Sequence, residues 1–78
     1  AKTAGDLFAG LGTFTFPLAR FAKVSAYDGD ADAIAALMAG AKSATGIKPV
    51  AGIRRDLMRE PLSPLELQAF DVVVFDPP

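Results

Sequence analysis

Asp6-Leu7-Phe8-Ala9-Gly10-Leu11-Gly12-Thr13 is the stretch of this chain that decides its fold. It has the pattern of a buried strand, a tight glycine turn and the start of a helix. Gly10 and Gly12 permit positive φ and let a ligand come close to the backbone. The N-terminus of the following helix offers free amides and the positive end of the helix dipole. The stretch therefore predicts a ligand-binding turn, with both glycines in contact with the ligand.

The acid before the first glycine separates two kinds of nucleotide site. A dinucleotide-binding turn has a third glycine three residues after the second, and this chain has Thr15 at that position. A carboxylate beside the turn, at Asp6, suits a nucleotide-type ligand with a positively charged end. S-adenosylmethionine is such a ligand, because it carries an ammonium and a sulfonium. Asp6 is therefore predicted to bind the cofactor.

Apolar runs alternate with helical patterns along the rest of the chain. The predicted strands are residues 3–9, 24–28, 50–54 and 72–75, and the predicted helices are 13–23, 31–44 and 63–69. Strands that alternate with helices imply right-handed crossovers and a parallel sheet covered by helices. The predicted fold class is α/β, a Rossmann-like parallel sheet with strand order 3-2-1-4, truncated after the fourth strand.

Local signals indicate where the three helices begin and end. Thr13 is predicted to cap the first helix, and Asp30 to cap the second. Gly46 is expected to stop the second helix at its C-terminal end. Ser63-Pro64-Leu65-Glu66 has the form of a capping box with proline at the first helical position. The apolar residues expected at helical spacing in the first helix are Phe14, Leu18 and Phe21.

Composition limits the class of protein. The chain has 78 residues, 51% of them hydrophobic, with a net charge of −1 and neither cysteine nor histidine. It therefore forms one domain at most, residues 1–78, and would be marginally stable alone. Without cysteine there is no disulfide framework or thiolate metal site, and we predict no metal. The net charge gives no overall attraction to nucleic acid.

The sequence has no apolar run near the length that spans a membrane and no signal-peptide pattern. We therefore expect a cytoplasmic protein without membrane contact. The last apolar run, 72–75, has the composition of a strand buried on both faces. Because such a strand needs flanking elements, we expect the chain to be an excised piece of a larger protein.

An acid lies near the carboxyl end of each predicted strand. In an open parallel sheet, ligands bind beyond these carboxyl ends. Asp28 follows the second strand and can accept two hydrogen bonds from a ribose diol. The alternative is that Asp28 caps the next helix, but Asp30 is nearer to the start of that helix. Asp28 is therefore predicted to bind the cofactor.

Asp56, after the third strand, has two interpretations that the sequence leaves open. It can accept a hydrogen bond from an adenine amino group, or it can pair with Arg54, Arg55 or Arg59 in an exposed loop. The three arginines also invite an RNA-binding interpretation. A solvated loop is favoured over it, because exposed charges need no partner.

Asp76-Pro77-Pro78 is the second distinctive motif. Two prolines directly after a strand cannot extend the ladder, so they form a rigid turn at the edge of the sheet. They also remove two amide donors, so the acceptors exposed there would select a planar polar group such as a nucleobase edge. Asp76 is predicted to face cofactor or substrate, and Pro77 and Pro78 to face substrate. The alternative is a simple strand terminator.

Taken together, these motifs resemble the cofactor domain of the class I methyltransferases that make 5-methyluridine in tRNA and large-subunit rRNA. The matching segments, which cover nearly the whole chain, are 6–14 with 16–19, 27–30, 55–57 and 70–78. The resemblance implies a Rossmann-like methyltransferase sheet, S-adenosylmethionine as cofactor, and tRNA or rRNA as the partner of the intact protein. Residues 1–78 would then be the N-terminal part of the S-adenosylmethionine-binding domain.

The resemblance also assigns residues to the cofactor. It implies that Phe8, before the glycine turn, and Thr13, after it, contact S-adenosylmethionine. Several family members have asparagine at the position of Thr13. Asp28 matches the acid after the second strand, where glutamate is more usual. Asp56 matches the polar residue after the third strand, and Asp76 opens the Asp-Pro-Pro motif.

The family's catalytic residues have no counterpart in this chain. The nucleophilic cysteine and the proton-abstracting glutamate lie beyond the Asp-Pro-Pro motif, and an upstream glutamine that touches the cofactor is also missing. In the implied reaction the cysteine adds to C6 of a flipped-out uridine. The resulting enolate takes the methyl group at C5 from the sulfonium, a carboxylate then removes the C5 proton, and the cysteine leaves C6. We therefore expect these 78 residues to bind and orient the cofactor and to be inactive alone.

Two other functions compete with this one. A base-amine methyltransferase acting on guanine-N2 or adenine-N6 also carries an Asp-Pro-Pro or Asn-Pro-Pro motif, followed by an aromatic residue. A nucleotide-binding oxidoreductase domain shares the glycine turn, but Thr15 and Asp6 argue against it.

Overall fold

The structure is a computed structural model that describes residues 2–77. Strands and helices alternate along the chain, as the sequence predicts. The elements are β1 (Lys2–Leu7), α1 (Thr15–Ala19), β2 (Ala22–Asp28), α2 (Ala31–Ser43), β3 (Val50–Arg54), α3 (Pro64–Leu67) and β4 (Val72–Phe75). None of the helices in this part of the chain has the length and apolar character needed to cross a membrane.

The strands form one parallel sheet of order β3-β2-β1-β4, which confirms the predicted fold class. Leu7 at the end of β1 is in register with Tyr27 on one side and Phe75 on the other. Asp28 at the end of β2 is in register with Arg54 of β3. The strands therefore end together, which brings their carboxyl-terminal loops to a single edge.

Each face of the sheet buries a different set of side chains, because successive residues of a strand point to opposite faces. On one face, Ala4 and Val24 pack against Ala19 of α1, and Ala26 packs against Leu37 of α2. On the other face, Leu7 packs against residues of the loop after β3 and against α3. The small alanines of the first face let the two longer helices lie close to the sheet.

Two of the predicted helix caps are confirmed. The Asp30 carboxylate accepts from the amides of Asp32, at 2.9 Å, and Ala33, at 3.4 Å, at the start of α2. Ser63 and Glu66 form the reciprocal capping box at the start of α3. Both motifs need only local hydrogen bonds, which explains why the sequence reveals them.

The predicted boundaries around the glycine turn are wrong. β1 ends at Leu7 instead of Ala9, and α1 spans five residues instead of 13–23. Thr13 is exposed and does not cap α1; Phe14 precedes the helix without a side-chain cap. The reason is that the chain leaves the strand conformation at Phe8, where φ is +64°, and stays in the turn to Phe14.

The first helix also lacks the predicted apolar face. Phe14 and Phe21 are 44% and 73% exposed, and of the predicted set only Leu18 packs against the core. α1 ends early because the next strand begins at Ala22. α2 ends at Ser43 with Ala44 as its C-cap, so Gly46, with φ of +73°, lies in the following loop and does not stop the helix.

β4 is not buried on both faces as its composition predicts. Val72 and Phe75 are 41% and 65% exposed. Within residues 2–77, β4 pairs only with β1, so it forms an edge of the sheet. An apolar edge strand exposed in this way is typical of a surface that is covered by further protein.

Candidate functional site

A cleft of about 470 Å³ lies at the edge where the strands end. This volume falls within the range of small-molecule binding sites, about 300–1,000 Å³. The residues that line the cleft come from the ends of all four strands or from the loops that follow them. They are Phe8, Gly10, Asp28, Gly29, Asp56, Leu57, Met58 and Asp76.

Phe8 adopts a strained conformation at the mouth of the glycine turn. Its φ of +64° lies in the left-handed region, which costs a residue with a side chain about 1–3 kcal/mol. The ring of Phe8 packs edge-on against Phe75, with 5.6 Å between the ring centroids. The strain is retained because this packing and the turn hold Phe8 against the cleft.

The two glycines of the turn have different roles. Gly10, with φ of +56°, lines the cleft and has no atom within 4 Å of the position of a Cβ. Gly12, with φ of +97°, is buried, and a Cβ there would lie 2.5 Å from the ring of Phe16. Gly10 therefore keeps the cleft open to a ligand, whereas Gly12 lets the turn pack against α1.

Asp28 ties the glycine turn to the end of β2. Its Oδ2 accepts a hydrogen bond from the Gly10 amide at 2.8 Å, and its Oδ1 accepts one from the Asp30 amide at 2.9 Å. A carboxylate has about four acceptor sites, so both oxygens retain capacity for a ligand. The side chain is half-buried and lines the cleft, which is where the predicted ribose contact would be made.

Asp56 combines the two interpretations that the sequence leaves open. Its Oδ1 accepts from the amides of Met58 and Arg59, at 3.2 and 3.3 Å, and Arg59 Nε lies 3.8 Å from its Oδ2. The carboxylate also lines the cleft. Arg54 and Arg55 do not pair with Asp56; Arg54 Nε donates to the carbonyl of Gly29.

The sequence analysis missed three residues of the cleft, namely Gly29, Leu57 and Met58. Leu57 is buried against Leu7 and Leu62, and Met58 is 78% exposed. The signal that could have identified Leu57 and Met58 is their position. They are an apolar pair directly after Asp56, the acid that follows β3.

An ion pair fixes the loop that carries Asp56, Leu57 and Met58. Arg55 Nη1 and Nη2 donate to the two carboxylate oxygens of Glu66 at 2.6 and 3.1 Å. The same guanidinium donates to the carbonyls of Glu60 and Pro61. The hydrogen bonds from Arg55 and from the Ser63 amide lower the pKa of Glu66 to about 2. Arg55 therefore holds the start of α3 against the loop that forms this wall.

Asp6 is a buried carboxylate without a cationic partner among the described residues. It is 1% exposed, and Thr15 Oγ1 donates to its Oδ2 at 2.5 Å. Its Oδ1 is also buried and has no hydrogen-bond partner. Burial raises the pKa of Asp6, the Thr15 hydroxyl opposes this rise, and the negative charges of Asp28 and Asp76 add to it. A buried acceptor without a partner costs about 1–3 kcal/mol, so a cation near Oδ1 would be favourable.

Five of the ten predicted site residues line one cleft. Those that line it are Phe8, Gly10, Asp28, Asp56 and Asp76. Three others do not line it: Asp6 is buried next to Thr15, Gly12 packs against Phe16, and Thr13 is exposed on the turn. Pro77 is exposed directly after Asp76, and Pro78 lies outside the described residues. Contact of these residues with a ligand stays a prediction.

Metal binding has no geometric support in this part of the chain. Among residues 2–77, no group of three or more histidine, cysteine, aspartate or glutamate side chains is placed to hold a metal ion.

The chain is similar along its whole length to proteins named uncharacterized RNA methyltransferases. It is 53% identical to one from Rhizobium meliloti, 55% identical to one from Mesorhizobium japonicum and 50% identical to one from Caulobacter vibrioides. All 78 residues of this chain are matched in each case, and they span 19% of each relative. The chain thus corresponds to about a fifth of these proteins.

These names support a relationship with RNA methyltransferases and specify no target nucleotide. No protein-family model matches the chain. No solved structure matches it either.

Proposed function

We propose that this chain forms the S-adenosylmethionine-binding part of an RNA methyltransferase. The observation that carries the proposal is the buried carboxylate of Asp6 next to the glycine turn, whose Oδ1 has no partner among the described residues. A nucleotide ligand with an uncharged or anionic end would leave this buried charge without a counter-charge. A ligand with a cationic end in the adjacent cleft would supply that counter-charge, and S-adenosylmethionine has both a nucleoside and a cationic end.

The other residues of the cleft fit the nucleoside end. Asp28 would accept hydrogen bonds from the ribose hydroxyls. Each of its oxygens accepts one hydrogen bond from an amide and retains capacity for another. Asp56 would accept from the adenine amino group. Leu57 and Met58 supply apolar surface beside it, which suits the face of a purine. Phe8 adds an aromatic wall at the turn.

The charges of the cleft favour the cationic end of the cofactor. Asp76 lines the cleft, and its negative charge adds to the rise in the pKa of Asp6 that burial mainly causes. Asp28 acts on Asp6 in the same direction. A ligand cation would relieve the repulsion among these three carboxylates. We propose that Gly12 and Thr13 act on the cofactor through the shape of the turn, since neither lines the cleft.

The chain's contribution to methyl transfer is binding and orientation. When bound, S-adenosylmethionine supplies an electrophilic methyl group on its sulfonium. The residues of the cleft would hold the nucleoside and amino acid ends, which fixes the direction of the methyl group and lowers the entropic barrier to transfer. Since the chain has no cysteine and the carboxylates of the cleft are assigned to the cofactor, we propose that a nucleophile and a proton acceptor come from outside these 78 residues and that the chain alone is inactive.

The proposed target is uridine C5 in tRNA or rRNA. The motifs that resemble the 5-methyluridine enzymes support it. A base-amine target is the second candidate. Asp76 favours this second candidate. It lines the cleft directly before the exposed Pro77, and its carboxylate can accept a hydrogen bond from the exocyclic amine of a base.

The test is methyl transfer by the full-length protein. Labelled S-adenosylmethionine would be incubated with unmodified tRNA and rRNA, and the digested nucleosides would be separated by chromatography. We expect label in 5-methyluridine. Label in N2-methylguanosine or N6-methyladenosine would establish the second candidate instead. Absence of both transfer and S-adenosylmethionine binding would refute the proposed function.

A further inference from the structure

Thr15 is a fully buried polar residue that the proposed function does not yet use. It is the first residue of α1, and its exposed fraction is 0%. In a dinucleotide-binding turn a glycine at this position lets helix and strand pack closely. Here the hydroxyl donates a hydrogen bond to Asp6 Oδ2 at 2.5 Å. The residue thus links the helix that follows the glycine turn to the strand that precedes it.

We propose that Thr15 is a positioning residue, which holds the buried Asp6 carboxylate in place and in its charged form, so that its charge attracts the cationic end of a cofactor in the adjacent cleft. This inference rests on the proposed function. Thr15 occupies one carboxylate oxygen from the side of the helix. The other oxygen, Oδ1, is buried and has no partner among the described residues. The hydrogen bond from Thr15 therefore fixes the carboxylate, while the charge on Oδ1 has no compensating partner among the described residues.

The hydroxyl of Thr15 also favours the charged form of Asp6. Burial disfavours a negative charge at this position, and the carboxylates of Asp28 and Asp76 disfavour it further. Among the described residues, the Thr15 hydroxyl is the side-chain group that opposes these effects at Asp6. Without it, Asp6 would more readily take a proton or turn Oδ2 elsewhere. Either change would weaken attraction to a cation and leave the nucleoside contacts intact.

Two ligands separate this role from a purely structural one. S-adenosylhomocysteine carries the ammonium of the amino acid end, whereas 5′-methylthioadenosine has the same adenosine group without it. A positioning role predicts that loss of the Thr15 hydroxyl weakens binding of the first ligand selectively. General damage to the turn would weaken both, because Gly10 and Asp28 lie on the nucleoside side of the same cleft.

The experiment is calorimetry on the full-length protein with both ligands. Thr15→Val keeps the shape of the side chain and removes the hydroxyl, and Thr15→Ser is the matched control that keeps it. We expect Thr15→Val to weaken S-adenosylhomocysteine binding about tenfold, because a protonated or displaced Asp6 would lose its attraction to the ligand ammonium. Affinity for 5′-methylthioadenosine should change less than about twofold, and Thr15→Ser should bind both ligands nearly as the wild type does.

A second variant keeps the test decisive if Thr15→Val does not fold. Asp6→Asn removes the charge, retains an oxygen that can accept from Thr15, and should give the same selective loss. The positioning role would be overturned if Thr15→Val or Asp6→Asn lowered the affinity for both ligands equally. It would also be overturned if Thr15→Ser lost as much affinity for S-adenosylhomocysteine as Thr15→Val does. Wild-type protein that binds neither ligand would instead overturn the proposed function, and this inference with it.

Discussion

The amide of Gly10 donates a hydrogen bond to the Asp28 carboxylate at 2.8 Å, which joins the turn after β1 to the end of β2. The other oxygen of the same carboxylate accepts from the amide of Asp30, directly before α2. One side chain therefore fixes two backbone segments at the edge of the cleft. In the proposed function the same side chain also faces the ribose of the cofactor, so it both builds the site and acts in it.

Removing the Asp28 carboxylate should weaken cofactor binding. In the full-length protein, we expect Asp28→Ala to cost about 1–3 kcal/mol of binding free energy for S-adenosylhomocysteine, as for a lost hydrogen bond to a charged group. The measurement is calorimetry at constant salt. Wild-type affinity in this variant would show that Asp28 makes no ribose contact.

Asp30 provides the control, because it lies two residues away and caps α2. Asp30→Ala should lower the free energy of unfolding by about 0.5–2 kcal/mol, the usual cost of losing an N-cap. It should leave the affinity for S-adenosylhomocysteine unchanged, since its side chain does not line the cleft. An equal loss of affinity in both variants would mean that the effect of Asp28 is only structural.

The parts of the fold that depend on local patterns could be predicted from the sequence. Alternating elements imply a parallel sheet, and the caps at Asp30 and Ser63 need partners only a few residues away. Acids after parallel strands must meet at one edge, which is why Asp28, Asp56 and Asp76 were correctly placed together.

Other features depend on contacts between distant segments and could not be predicted. Arg55 could equally have paired with Asp56, and only the fold brings it to Glu66. The burial of Asp6 next to Thr15 depends on how α1 packs against the sheet, and α1 is short because the turn runs to Phe14 and β2 begins at Ala22. β4 has the composition of a buried strand, but burial is decided by its neighbours rather than by its own residues.

The two glycines of the turn should respond differently to alanine. Both substitutions place a side chain in the left-handed region, at a cost of about 1–2 kcal/mol. Gly12→Ala also forces a Cβ to within 2.5 Å of the Phe16 ring, and such overpacking adds about 1–3 kcal/mol. We therefore expect Gly12→Ala to lower the free energy of unfolding more than Gly10→Ala, as measured by urea denaturation.

A smaller side chain at position 16 should distinguish these two costs. Phe16→Leu removes the ring that the new Cβ would meet. In that background, Gly12→Ala should lower the free energy of unfolding less than it does in the wild type. Combining Phe16→Leu with Gly10→Ala should show no coupling, because Gly10 has no neighbour within 4 Å of its Cβ position. If the Gly12 and Phe16 substitutions were additive, the close contact would not be the source of the cost.

The ion pair between Arg55 and Glu66 should make stability depend on acidic pH. The pKa of Glu66 falls from its ordinary value of 4.5 to about 2 in the folded protein. A lowered pKa contributes stability that is present above 4.5 and is lost as the pH falls towards 2. We expect wild-type protein to lose more stability over this interval than Glu66→Gln, in urea titrations at a series of pH values. Parallel pH profiles would contradict the prediction.

Asp6 should have the opposite pH dependence, because its pKa is raised above the ordinary value of 3.8. A raised pKa in the folded state contributes stability that is fully present below 3.8 and is lost as the pH rises through the folded-state value. Above that value the protein must bury a charged oxygen, Oδ1, without a partner among the described residues. We expect the stability of Asp6→Asn to rise relative to that of wild type as the pH rises.

The ligand supplies the decisive control for this last prediction. If a cation pairs with Asp6, saturating S-adenosylhomocysteine should stabilise the wild type at neutral pH more than it stabilises Asp6→Asn, because only the wild type has the charge to pair. Urea titrations with and without ligand at two pH values would measure both effects. A wild type whose stability relative to Asp6→Asn did not change with pH would mean that Asp6 ionises normally. The cost of burying its charge would then be too small to favour a cationic ligand over a neutral one.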